Sequence, residues 1–241
     1  MATKYNSKPI YWNKAKNFLT KVDPILKQAI INTSNKHYLT RNCSSFKTLI
    51  NAIIGQQISV AAASSISKKI HQNIKRISPY NICNTNNNVL KKCGLSRQKI
   101  HYIKELSDIF VHQPSYFYQL PQLNDQQVIE KLSNLKGIGE WTAQMYLIFQ
   151  LNRPNILPLG DLGFINSMIR LYKIKKPITK NVLKITKIWN PYKTVAVWYI
   201  WRIIDADVVA NEAQILAEHD ESVNWGNNVQ LDSDSFDILP S

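Results

Sequence analysis

Apolar residues recur along this chain at the three-and-four spacing of helices, and no apolar–polar alternation runs long enough to make a strand. Ala15, Phe18, Leu19, Val22, Leu26 and Ile30 form one stripe, in which Asp23-Pro24 marks a break or a fresh helix start. Phe46, Leu49, Ile50, Ile53 and Ile54 form a second. Gly55-Gln56-Gln57-Ile58-Ser59 interrupts it, and Ser59 is placed to cap a helix running from Val60 to Ile70. Arg76 to Asn88 is turn-rich, lacks an apolar period and reads as a surface connection. Gly94 then closes a short helix. Ser96 caps the next, which carries Arg97, Lys99 and Lys104 on one side and turns Ile100, Ile103, Leu106 and Phe110 inward. After Asn124, a plausible N-cap, come Val128, Ile129, Leu132 and Leu135 at helical spacing. Farther on, an amphipathic helix runs from Phe164 to Tyr172, and Pro191-Tyr192-Lys193 opens a long apolar one bearing Trp198 and Trp201. The pattern predicts an all-α protein, and 241 residues suffice for one domain, or for one domain in two lobes.

Leu132 to Gly163 holds the centre of this pattern. Gly137-Ile138-Gly139 separates the helix ending near Leu135 from one on which Trp141, Met145, Ile148 and Phe149 share a face. Glycine reaches φ > 0 and lets a partner come close to the main chain, so the unit reads as helix, tight turn, helix. The unbonded N–H groups that open the second helix form an anion site, and a DNA phosphate is the obvious anion.

Charge strengthens that choice. All 30 Lys and Arg lie at or before Arg202, against seven acids, while nine acids follow from Asp205. The body therefore carries +23 and the remainder −9, and such a body suits a polyanion. Cys43, Cys83 and Cys93 are too few and too scattered for a zinc site, a disulfide framework or a four-thiolate iron–sulfur cluster. They fit a reducing compartment: cytoplasm with its nucleoid, or a nucleus. No apolar run is long enough to span a membrane, and the N-terminus lacks a signal-peptide core.

Several blocks, taken together, resemble the helix-hairpin-helix superfamily of DNA glycosylases, in particular the 3-methyladenine DNA glycosylase II family. They are Ile54 to Ser59 with Ala61 to Ala63, Gly94-Leu95-Ser96 with Lys99, Leu135 to Ala143, Gly160-Asp161-Leu162-Gly163, and Trp189 to Tyr192 running into Trp198 to Arg202. The resemblance covers about residues 45 to 202. It implies a two-lobed helical domain over 1–215 without an N-terminal β domain, followed by an acidic tail at 216–241.

It implies a catalytic carboxylate at Asp161, a residue whose place before a helix also makes it an N-cap; the two roles are compatible. It implies a base pocket of Trp141, Trp201 and Met145. DNA contacts fall on Gly137, Ile138, Gly139 and Thr142, and on Gln57 and Ser59 in a loop that enters the duplex as a wedge, or serves as a simple polar connection. Main-chain carbonyls of Ser133, Leu135 and Gly137 correspond to a monovalent-cation site, sodium or potassium; no other cofactor is implied. Bifunctional relatives carry a nucleophilic lysine two places after the hairpin's last glycine, where this chain has Trp141 preceded by Glu140. The expectation is a monomeric, monofunctional glycosylase acting on alkylated bases in double-stranded DNA. A non-catalytic DNA-binding module explains the charge and the hairpin equally, but not Asp161 with its tryptophans. A glycosylase for oxidised or mismatched bases fits less well with Trp141 and three cysteines.

Overall fold

The computed structural model describes residues 7–33, 37–41 and 43–203. The expected tail at 216–241 and the boundary before it lie outside the described residues. Among the described residues there is no strand. The first helices are α1 (Trp12–Val22), α2 (Pro24–Asn32), α3 (Ser45–Gly55), α4 (Val60–Asn73), α5 (Pro79–Asn84) and α6 (Asn87–Lys92). Then come α7 (Arg97–His112), α8 (Ser115–Tyr118), α9 (Asp125–Ser133), α10 (Glu140–Phe149), α11 (Leu162–Tyr172), α12 (Ile178–Thr186) and α13 (193–203).

Side-chain caps set most of the helix starts. Asp23, Ser44, Ser59, Ser78, Asn86, Ser96, Asn124 and Asp161 each accept a hydrogen bond from a first-turn N–H. Asn124 and Gln127 complete a reciprocal capping box before α9. The stretch from Arg76 to Asn88, expected to be a surface connection, instead contains α5 and the start of α6. Ser78-Pro79 is a cap followed by a proline at the first helical position, and Ile82 alone anchors the short helix, at 1% exposure. Six residues are too few to show a period.

The helices form two groups. In one, α3 packs on α10 and α7, α7 on α5, and α9 on α10. In the other, α1 and α2 pair and α11 meets α12. Residues Val195 to Ile200 of α13 are all buried, so this helix is apolar on every side. Trp12 of α1 meets Trp198 edge-on at 5.1 Å. The N-terminus of α13 is tied to the segment leading to Asp161: the Thr194 hydroxyl donates to the Arg153 carbonyl at 2.6 Å and accepts from the Ile156 N–H at 2.9 Å. Among the described residues no helix is long and apolar enough to cross a membrane.

Candidate active site and nucleic-acid interface

Asp161 stands where α10, α11 and α13 converge. One oxygen, Oδ1, caps α11 by accepting from the Phe164 N–H at 2.6 Å and also receives the Trp201 indole N–H at 3.3 Å. The other, Oδ2, accepts the Trp141 indole N–H at 2.8 Å. Capping and a site role therefore coexist in one side chain. A carboxylate offers about four acceptor positions. Three are filled here, and the remaining one belongs to Oδ2. Asp161 itself is only half-buried.

The two tryptophans come from different helices, Trp141 from α10 and Trp201 from α13. Trp201 stacks on Phe149 at 5.8 Å and 15°, and both indoles are half-buried. Trp198, three residues before Trp201, is core instead. Met145, expected in the base pocket, is 6% exposed and belongs to the core under Trp141. Gly163 leaves room for the carboxylate: a Cβ there would stand 3.3 Å from Asp161 Oδ1. Surface clefts beside Asp23 and Tyr172, and beside Glu105 and Lys136, are not lined by Asp161 or its tryptophans.

The hairpin between α9 and α10 is built from inside. The Leu135 N–H donates to the Leu132 carbonyl and the Ile138 N–H to the Leu135 carbonyl. Gly137 has φ +78, and a Cβ on it would fall 2.2 Å from the Tyr102 ring, so both backbone and neighbour demand glycine. Gly139 caps α10 at φ −93 with nothing within 4 Å of an added Cβ. Its exposed main chain and the first N–H groups of α10 face outward together.

Two of the residues expected at the DNA are buried. Ile138 spends its N–H inside the turn and packs into the core. Thr142 accepts from the Gln56 amide through its hydroxyl. Glu140, awkward beside a phosphate, is drawn back along the helix by the Gln144 amide at 3.0 Å.

Of the carbonyls implied for a cation, Leu135 already accepts from Ile138 N–H and Gly137 from the Gln56 amide at 2.8 Å. Each of these two carbonyls keeps a second lone pair. Among the described residues no group of His, Cys, Asp or Glu could hold a metal ion.

The loop after α3 divides its residues. Gln57 is exposed and held at φ +57, an uncommon conformation for a side chain of its kind. Ile58 is exposed beside it, at 38%. Ser59 accepts from the Ala62 N–H and caps α4. Gln56 turns inward, which no sequence signal distinguishes from its neighbour Gln57. Lys99 and Lys104 also turn inward, contrary to the expected basic face. Lys99 donates to the carbonyls of Ile54 and Gln56 at 2.6 and 2.8 Å, and burial pushes its pKa down. Lys104 donates to the carbonyls of Cys83 and Thr85 at the end of α5.

This geometry defines a helix-hairpin-helix fold with a carboxylate at the junction of its two groups of helices. A family model described as HhH-GPD superfamily base excision DNA repair protein matches residues 50–191, from α3 to the threshold of α13, and the chain belongs to that superfamily. DNA-3-methyladenine glycosylase 1 of Schizosaccharomyces pombe is 34% identical over 163 residues, 65% of this chain and 71% of that protein. The alkylbase DNA glycosidase-like protein mag2 of the same yeast is also 34% identical, over 66% of this chain and 77% of its own. Among solved structures, the S. pombe 3-methyladenine DNA glycosylase in complex with abasic DNA superposes with a TM-score of 0.70 at 29% identity, covering 78% of this chain and 95% of that one. A Bacillus halodurans DNA-3-methyladenine glycosidase gives 0.62 at 30% identity, over 84% and 92%.

Proposed function

We propose that this protein is a monofunctional DNA glycosylase that excises alkylated bases of the 3-methyladenine and 7-methylguanine type from double-stranded DNA, acting as a monomer and leaving an abasic site. The observation that carries the reading is Asp161: a half-buried carboxylate held by three N–H donors, with one acceptor position left on Oδ2. The names of the relatives support the substrate class.

A base inside a duplex is out of reach, so it must be turned out of the stack. The first N–H groups of α10, beside the open side of Gly139, hold a backbone phosphate. Gln57 enters the vacated space, where unstacking costs a few kcal/mol and less at a damaged base. The extruded base lies against Trp141 and Trp201. An alkylated purine is cationic or weakly bonded to its sugar, so indole faces attract it and it leaves without a strong general acid. The glycosidic bond breaks with positive charge developing on the sugar, as in glycoside hydrolysis generally. The remaining acceptor position of Asp161 faces that charge or orients the attacking water. Trp141 and Trp201 fix the carboxylate plane at both oxygens, which prepays its orientation. With Glu140 and Trp141 after the hairpin, no amine stands where a Schiff base would form, so strand cleavage is not part of the reaction.

Incubation with methylated duplex DNA, followed by chromatography of the free bases, tests this. Release of 3-methyladenine and 7-methylguanine, with strands broken only after alkali, is the expected result. A protein–DNA adduct trapped by borohydride would overturn the monofunctional reading, and no released base would overturn the enzyme.

A further inference from the structure

We propose that Gln56 is a positioning residue that joins the wedge loop and the phosphate-holding hairpin into one rigid unit. This rests on the reading above in which Gln57 enters the duplex.

Residue 56 is tied down through every polar group except one side-chain oxygen. Its N–H donates to the Ile53 carbonyl at 3.3 Å, ending α3. Its own carbonyl accepts from Lys99 Nζ at 2.8 Å. Its side-chain Nε2 donates to the Gly137 carbonyl at 2.8 Å and to the Thr142 hydroxyl at 2.9 Å. A backbone carbonyl can only accept, so the amide orientation is fixed by its partner, and both amide hydrogens are used. These contacts cross 81 and 86 residues of sequence.

The two acceptors are the parts of the hairpin that cannot move alone. Gly137 is wedged against Tyr102, and Thr142 is buried in the first turn of α10, the helix whose N–H groups hold the phosphate. Helix α7 reaches both sides of the joint: Lys99 holds the loop base, Tyr102 backs Gly137, and Glu105 accepts from Lys136 of the hairpin at 2.7 Å.

The arrangement has a mechanical consequence. Inserting a wedge gains nothing if the loop can retreat while the phosphate stays bound. Extrusion needs the distance between phosphate grip and wedge to be fixed, because the duplex pushes back with the cost of unstacking. Gln56 fixes that distance at the base of Gln57. A residue that only satisfied buried acceptors would affect all substrates alike. A joint matters in proportion to how much the duplex resists.

The test compares single-turnover release of 7-methylguanine from a fully paired duplex with release of the same base placed opposite an abasic site, where extrusion meets less resistance. Gln56→Met keeps chain length and removes both donors. The paired-to-unpaired ratio of rates is expected to fall about tenfold, the equivalent of one lost hydrogen bond with a buried acceptor. Thr142→Val removes one acceptor and should lower the ratio less, and Thr142→Ser should restore what valine loses. A ratio unchanged in both Gln56→Met and Thr142→Val overturns the proposal, whatever happens to the absolute rates. If Gln56→Met does not fold, the Thr142→Val and Thr142→Ser pair decides alone. A fluorescent 2-aminopurine beside the lesion reports unstacking without chemistry. If the wild type unstacks it, Gln56→Met does not, and neither releases a base, the joint stands and the glycosylase reading fails.

Discussion

Two aspartates in this protein do nearly the same thing locally and end with different uses. Asp23 and Asp161 each cap a helix, α2 and α11, and each receives tryptophan indole N–H groups. Asp23 is 2% exposed. Its Oδ1 accepts from the N–H groups of Ile25 and Leu26, and its Oδ2 from the Tyr172 hydroxyl and the Trp189 indole. Four acceptor positions meet four donors, all from within the fold, and burial beside this carboxylate pushes the Tyr172 pKa up. Asp161 meets three donors and stands half-buried. One carboxylate is used up by the structure that holds it; the other is held and left one position short. On the proposed reading, the position left over is the one that acts.

The hairpin glycines repeat the contrast. Gly137 is required by the protein, through its φ and the Tyr102 ring, whereas nothing inside the protein requires Gly139. Its glycine makes sense against something that approaches from outside.

The largest expected effect sharpens the aspartate pair. Asp161→Asn should lower base release by about 10²-fold or more, because a neutral amide cannot face the developing sugar charge. Asparagine keeps the cap through its oxygen while its amide nitrogen faces the Trp141 N–H, a cost that is smaller in this half-buried site than in a closed one, so the melting temperature should fall only slightly and DNA affinity should hold. A variant that releases base at near wild-type rate would remove Asp161 from the chemistry.

Next in size, Gly137→Ala should destabilise the fold by roughly 3 kcal/mol, from a left-handed backbone position plus overpacking against Tyr102. Thermal or denaturant unfolding measures it, and a loss below about 0.5 kcal/mol, the range of an ordinary surface change, would mean the hairpin accommodates a side chain.

Asp23→Asn comes third and should do the reverse of Asp161→Asn. Its amide nitrogen would face the Trp189 N–H, donor against donor, in a site with no water-facing alternative. Stability should fall by about 2 kcal/mol, while the base-release rate of the folded fraction holds. Loss of activity without loss of stability would erase the distinction between the two aspartates.

Much of this was legible in the sequence because it is local. The break at Asp23-Pro24, the caps at Ser59 and Asn124, the helix–turn–helix around Gly137 and the register of Asp161 all depend on neighbours within a few residues. What was hidden depends on partners far along the chain. Gln56 and Gln57 are the same letter twice, and only contacts 81 and 86 residues away make one a joint and leave the other exposed. Lys99 and Lys104 looked like a basic face because nothing in their spacing shows that helix-end carbonyls lie above them. Asp23 read as a helix start, and its burial against Trp189, 166 positions on, could not be inferred from that. The burial of Ile138 and Thr142 is equally hidden, because the motif's letters do not show which of them turn into the core.

The smallest expected effect is the one that separates the glycines by the size of the stability change. At φ −93 and with open space around its Cβ direction, position 139 accepts alanine without strain. Alanine restricts the unfolded chain, but it is a poorer N-cap than glycine, so the two effects offset and Gly139→Ala should change stability by less than about 1 kcal/mol. On the proposed reading, the same methyl group enters the space that a phosphate needs in order to reach the α10 N–H groups. Affinity for an abasic-site duplex should therefore weaken, by roughly fivefold, or about 1 kcal/mol. The two measurements, unfolding and fluorescence anisotropy at one salt concentration, are expected to separate: a small change in stability and a clear loss of affinity. A stability loss as large as that of Gly137→Ala together with unchanged DNA affinity would place the demand for glycine at 139 inside the protein, as at 137, and would take the phosphate away from the hairpin.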